Sequence, residues 1–228
     1  MAEEEKRQDI DPEELEEIKE DPTAFTLSVT TPDEVATIVD SPLIGAASDS
    51  EYRLTKPVFF VGFMVAGKTS VSRQLARTCG LASVDLDAYI ERREGKPINQ
   101  MFQEIGEEGF RQIETATLDE FAQGEPRLVS CGGGIVLREE NRNIINTHGY
   151  AVYLQVTAEE AAARIGDVST RPNFHDLPTA RKTIADRLPM YEAVADCAVD
   201  TVGKSIAEVA REVAEILEKE GVLCRQQK

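Results

Sequence analysis

What the sequence lacks narrows its function first. Its four cysteines, Cys79, Cys131, Cys197 and Cys224, form no C-x-x-C pair, and neither His148 nor His175 lies near one of them in sequence. That spacing argues against a zinc site or a redox dithiol, and for reduced thiols in a cytoplasmic protein. No apolar run approaches the roughly 20 residues of a membrane-spanning helix, so no membrane contact is expected. The first residues are acidic, which fits neither a signal peptide nor a transit peptide. No segment recurs at a fixed spacing, so a repeat array is not expected. Basic charge is scarce as well: 25 Lys and Arg face 42 Asp and Glu, for a formal net charge of −17. Such a chain is a poor partner for nucleic acid, whose nonspecific binding rests on neutralising phosphates.

The acidity is concentrated at one end. Residues 1–55 hold sixteen acidic and four basic side chains. The chain therefore divides into an acidic N-terminal extension, 1–55, partly disordered, and a globular domain, 56–228. Within 1–22 the apolar stripe is thin: Ile10, Leu15 and Ile18. A frayed, solvated segment is expected there, and deleting residues 1–22 should leave melting temperature and activity almost unchanged. Residues 23–55 are more apolar but are interrupted by Pro32 and Pro42. They could pack on the domain or serve as a docking segment for a protein partner, and the sequence leaves both open.

From residue 56 short apolar runs alternate with helical patterns. Strands are predicted at 57–61, 82–85, 127–131, 150–156 and 196–200. Helices are predicted at 68–79, 87–94, 98–105, 107–122, 138–147, 157–165, 178–194 and 204–220. Strands separated by helices form a parallel sheet covered on both faces. Ligands bind such sheets at the carboxyl ends of the strands. Pro189 should kink or break its helix near residue 188.

Five motifs fall at or after those strand ends. Gly62-Phe63-Met64-Val65-Ala66-Gly67-Lys68-Thr69 fits G-x-x-x-x-G-K-[ST], between a strand and a helix. In that setting loop N–H groups and the helix N-terminus cradle phosphates, the lysine reaches the β- and γ-phosphates, and the hydroxyl sits on Mg²⁺. The fold class is therefore α/β: a three-layer P-loop NTPase fold, its short central parallel sheet flanked by helices. Gly62, Val65, Ala66, Gly67, Lys68, Thr69 and Ser70 are the candidate nucleotide-binding residues. After the second strand, Asp85-Leu86-Asp87 puts two carboxylates on one side of an extended segment. Taken alone, that D-x-D reads as a solvated turn. Arg111 and Glu114 share a helix face, and alone they read as a surface ion pair. Gly132-Gly133-Gly134 ends the third strand, where a ligand could approach the backbone closely. Arg164 to Pro172 joins two helices and fits a mobile lid, about 166–178, that carries arginines.

In order along residues 57–220, these motifs, with Arg187-Leu188-Pro189-Met190-Tyr191 near the last strand, resemble the shikimate kinase family: Walker A, D-x-D, G-E-x-x-F-R-x-x-E, G-G-G, a lid R-P, and R-x-P-x-Y. The resemblance implies ATP-dependent phosphorylation of the shikimate 3-hydroxyl, in aromatic amino-acid biosynthesis through chorismate. It implies substrate-binding helices at about 87–122 and a cytoplasmic monomer that takes ATP, shikimate and Mg²⁺. By the same resemblance Lys68, Asp87 and Arg171 are catalytic. Thr69, and Asp85 through water, serve the metal. Asp87, Arg111, Glu114, Gly132, Gly133, Gly134 and Arg187 hold the substrate, with the two arginines on its carboxylate. Arg164 lies against the adenine. Two departures stand out. Val65 replaces the family's middle glycine and is strained if its φ is positive, and the lid reads Arg171-Pro172-Asn173-Phe174 where two leucines usually follow the proline. Two other readings share the phosphate loop: a kinase for gluconate or a nucleoside monophosphate, and a nucleotide-binding regulator with weakened catalysis.

Overall fold

A computed structural model of the protein describes residues 43–47, 50–165 and 177–226. Residues 1–42 and most of the expected lid, Arg171 included, lie outside the described residues.

The strand β3 (Val58–Val61) shows how the layers arise. All four of its side chains are buried. Side chains alternate along a strand, so Val58 and Phe60 enter one apolar cluster and Phe59 and Val61 the other. One face is covered by α1 (Lys68–Cys79) and α7 (Ile206–Lys219), which supply Leu75, Val209, Val213 and Leu217. The opposite face is covered by α3 (Ile98–Gln123), α4 (Glu139–His148) and α6 (Leu177–Val194), through Leu118, Phe121, Ile145 and Tyr191.

The main sheet of the described residues also contains β1 (Leu43–Ile44), β4 (Ser83–Asp85), β5 (Leu128–Ser130), β6 (Tyr150–Gln155) and β7 (Cys197–Asp200), in the order β1-β4-β5-β3-β6-β7. The last five in that row are mutually parallel. The register places Ser130 beside both Asp85 and Phe60. The loops after β3, β4 and β5 therefore leave the same edge side by side.

Helix ends follow the sequence signals. Glycines in left-handed conformation close α1 at Gly80 (φ 63°) and α2 (Leu86–Glu94) at Gly95 (φ 65°). Asp85 caps α2, its Oδ1 accepting from the Ala88 N–H at 3.0 Å. The two helices predicted at 98–105 and 107–122 run into one element interrupted at Gly106 (φ 72°, ψ 177°). Of the kink or break expected near residue 188, the break does not occur: α6 continues through Pro189. A proline ring removes one donor, but beyond it Tyr191 and Val194 are buried in the core, and they hold the last turns in place.

Three segments escaped the sequence reading. β1 adds an antiparallel edge to β4, and β2 (Tyr52–Leu54) pairs antiparallel with β8 (Leu223–Arg225). Ser50 Oγ donates to the Cys79 carbonyl at 2.8 Å, and Leu54 is buried. Residues 43–47 and 50–55 thus pack on the domain. Starting the chain at residue 56 should lower its stability by about 2–4 kcal/mol: one buried leucine at roughly 2 kcal/mol and a few hydrogen bonds at about 0.5–1.5 kcal/mol each, offset by the freedom those residues regain. Denaturant midpoints of the 23–228 and 56–228 proteins would measure the difference.

Candidate active site

The phosphate loop is built from backbone that only particular residues adopt. Gly62 has φ 140°, and a Cβ there would run into the Leu154 carbonyl of β6. Gly67 has φ 94° and starts α1. Val65 has φ 55°, the one non-glycine residue with positive φ among the described residues, so the strained conformation conditional in the sequence is present. Lys68 is buried beneath the loop, its Nζ donating to the carbonyls of Gly62 and Phe63, both at 3.0 Å.

The loop, α1 and the strand ends enclose a cleft of about 710 Å³. Residues Val65 to Ser70, Asp85, Asp87, Gly133 and Arg164 line it. On its floor Thr69 Oγ1 donates to Asp85 Oδ2 at 2.5 Å and lies 3.1 Å from Ser130 Oγ. This is an all-oxygen cluster of one carboxylate and two hydroxyls. Such hard donors fit Mg²⁺, which keeps several waters and takes only one or two protein groups.

Beside this floor the triple glycine organises a second half-site. A Cβ at Gly132 would lie 2.6 Å from Asp87 Oδ1 and 3.2 Å from Glu114 Oε1. At Gly134 it would overlap the Arg111 guanidinium, 2.6 Å from Nη1. Glycine at both positions lets these side chains close onto the turn. Arg111 donates to Glu114 at 2.7 Å, and its Nε is buried with no hydrogen-bond partner among the described residues. Arg187 Nη1 and the Tyr191 hydroxyl both donate to the Gly133 carbonyl, at 3.0 and 2.6 Å. The arginines from α3 and α6 thus meet at the same three-residue turn.

The electrostatics are uneven. Burial pushes the Asp87 carboxyl up to about 6, helped by the charges of Asp85 and Glu114 and opposed by Lys68. Burial also raises Glu114, although Arg111, Arg138 and Arg187 pull it down. The buried Cys131 thiol is driven well above its ordinary value by desolvation, so it is no thiolate nucleophile.

Arg164 bridges the loop to the opposite wall: it donates to the Val65 carbonyl at 3.3 Å and to the Thr201 carbonyl at 2.7 Å. Ser130, Thr201, Lys204 and Ser205 also line the cleft, and the motifs did not mark them. They sit at or beyond the carboxyl ends of β5 and β7, and that position in a parallel sheet is the signal that could have found them.

A phosphate-loop turn on a parallel sheet, an oxygen floor suited to a hard cation, and a buried carboxylate raised to about 6 at the same glycine turn that gathers two guanidiniums together define a P-loop kinase for a small alcohol. Comparison with known proteins narrows that class. The family model "Shikimate kinase" matches residues 64–218. A shikimate kinase of Dehalococcoides mccartyi is 38% identical over 164 residues, covering 71% of this chain and 93% of its own, and one of Vibrio parahaemolyticus is 38% identical over 165 residues, covering 71% and 96%. In structure, the Acinetobacter baumannii shikimate kinase solved in complex with shikimate superposes with TM-score 0.69 at 30% identity, covering 72% of this chain and 94% of that one. The enzyme from Aquifex aeolicus gives 0.65 at 29%, covering 73% and 98%. The chain belongs to the shikimate kinase family.

Proposed function

We propose that the protein transfers the γ-phosphoryl group of ATP to the 3-hydroxyl of shikimate, releasing ADP and shikimate 3-phosphate. The observation that carries the substrate is the meeting of Arg111 and Arg187 at the triple glycine, next to Asp87. A carboxylate with ring hydroxyls needs that combination: guanidinium forks for the acid and an acceptor for the attacking hydroxyl.

In this reading the loop N–H groups and Lys68 bind and neutralise the phosphates. Thr69, and Asp85 through water, would hold Mg²⁺, which when bound offsets charge on the β- and γ-phosphates. Asp87 orients the substrate hydroxyl and accepts its proton as oxygen bonds to phosphorus and the bond to ADP breaks. Glu114 fixes the Arg111 fork, and Gly133 presents its N–H to a substrate hydroxyl. Arg164 lies against the adenine, and Arg171 reaches the transferring phosphoryl group from the lid. The four free thiols support a reducing, cytoplasmic setting, and in this reading the protein acts as a monomer.

An assay of ADP release with shikimate, gluconate and nucleoside monophosphates side by side tests the reading: turnover should appear with shikimate, and turnover only with another acceptor defeats it. Arg111→Lys and Arg187→Lys keep charge but lose the planar fork. Each should raise KM for shikimate about ten- to a hundredfold, the worth of one charge-assisted bond, and leave KM for ATP within a factor of about two. If the arginine variants chiefly weaken ATP, those side chains belong to the nucleotide half of the site.

A further inference from the structure

We infer that Thr201 is a positioning residue for the nucleotide: through Arg164 it holds the phosphate loop in the left-handed turn that Val65 occupies. The inference rests on reading this loop as the nucleotide cradle, and it brings in Arg164 and Thr201, which the phosphate-loop motif does not include.

Val65 is the starting point. A β-branched residue at φ 55° sits in a region that costs L-residues roughly 1–2 kcal/mol. Such a conformation persists only where its surroundings over-determine it. Val65 packs partly against the apolar cluster beneath α1, and among the described residues its carbonyl accepts one hydrogen bond, from Arg164 Nη1 at 3.3 Å. A long, half-buried arginine cannot fix a loop unless it is itself fixed. Three bonds do this. Nε donates to Glu160 on its own helix at 3.2 Å, Nη1 to Thr201 Oγ1 at 3.1 Å, and Nη2 to the Thr201 carbonyl at 2.7 Å.

Thr201 in turn is rigid. It is 3% exposed, and both its N–H and its hydroxyl donate to the Gln155 carbonyl, at 3.1 and 2.7 Å. Gln155 is the last residue of β6, which is paired along its length with β3 and β7. A continuous path therefore runs from the sheet through Thr201 and Arg164 to the one strained peptide of the loop. If Val65 relaxed out of the left-handed region, the N–H groups of Ala66 and Gly67 would turn with it. Both residues line the cleft; the Ala66 N–H closes the turn by donating to the Phe63 carbonyl at 3.3 Å, so Val65 sets the direction in which the N–H groups that follow meet phosphate oxygens.

With glycine at position 65 the left-handed turn carries no side-chain penalty, so the brace loses its purpose. That dependence separates positioning from general support. ADP affinity in the presence of Mg²⁺ is measured by calorimetry for the wild type, Thr201→Val, Val65→Gly and the double variant, with kcat and both Michaelis constants alongside. Thr201→Val keeps the shape but removes the hydroxyl. We expect it to weaken ADP and raise KM for ATP about tenfold, with kcat at saturating ATP and KM for shikimate within about twofold. Thr201→Ser, which restores the hydroxyl, restores the affinity. In the Val65→Gly background the loss caused by Thr201→Val shrinks to about twofold or less, a coupling of the size neighbouring residues show.

Equal losses in the two backgrounds, or no loss in either, overturn the inference. Should Thr201→Val not fold, Val65→Gly alone still tests it: ADP affinity at or above that of the wild type agrees, and a tenfold fall refutes. A wild-type protein that turns over another acceptor leaves the inference standing, because ADP binding does not depend on shikimate. One that binds no ADP removes the nucleotide reading and this inference together.

Discussion

Lys68→Ala should cut turnover by about a thousandfold or more while the domain stays folded. The expectation follows from where the ammonium lies. It is buried under the loop and bonded to the Gly62 and Phe63 carbonyls, at the base of the cleft where ATP would present its terminal phosphates. Phosphoryl transfer asks the protein for positioning and charge more than for covalent help, and single donors aimed at developing charge are worth about 10²–10³ or more in rate. The two hydrogen bonds lost with the side chain cost stability as well, about 1–3 kcal/mol. Lys68→Met, which keeps the stem, should recover part of that stability and none of the rate. Circular dichroism melts and the ADP-release assay separate the two effects. Near-normal turnover in either variant would mean the loop does not serve as a phosphate cradle.

Asp87→Asn should lower kcat by about two to four orders of magnitude, the usual worth of a positioned base, and raise KM for shikimate much less. The carboxyl titrates at about 6 because burial and the neighbouring Asp85 and Glu114 charges disfavour its ionised form. An acceptor of that basicity is ionised at neutral pH yet still able to take a proton. The profile of kcat/KM against pH should therefore rise through about pH 6 in the wild type, and that limb should vanish in Asp87→Asn. Stability should move the opposite way. The folded-state value lies above the unfolded one, near 3.8, so the native state binds the extra proton between about pH 4 and 6. Stability falls as pH rises through that window. Asp87→Asn removes this penalty and should be more stable than the wild type well above pH 6, by on the order of 3 kcal/mol. A less stable variant would show that the carboxylate contributes packing or hydrogen bonds that outweigh its desolvation.

The central strands and their crossover helices were legible because each is specified locally. Val58-Phe59-Phe60-Val61 is apolar on both faces, and Gly80 and Gly95 stop the helices that precede them. The edge strands were not. Leu43–Ile44 and Tyr52–Leu54 are two and three residues long, and their partners at 83–84 and 223–225 are distant in the chain, so no local pattern marks them. The break allowed for at Pro189 does not occur, for the opposite reason. Its local preference is strong, but the buried Tyr191 and Val194 override it. In the site, the residues that repeat a motif could be read, and the oxygen floor they share with Ser130 could not. Ser130 reaches Thr69 only because β5 lies between β3 and β4. The brace on Val65 was equally invisible, since Arg164 and Thr201 are 37 residues apart.

The pairing of Tyr52–Leu54 with Leu223–Arg225 has a consequence for how the protein is made. Tyr52 leaves the ribosome well before its ladder partner Arg225, which is synthesised 173 residues later. Until then the ladder side of the early strand is without its partner, and Leu54 lacks the neighbouring Leu223 that helps bury it. The parallel sheet can begin to assemble as β3, β4 and β5 emerge, whereas this clasp can shut only once residues 223–225 have emerged as well. A nascent chain stalled before residue 223 would therefore carry a short open strand edge, the kind of surface on which chaperones and misassembly act.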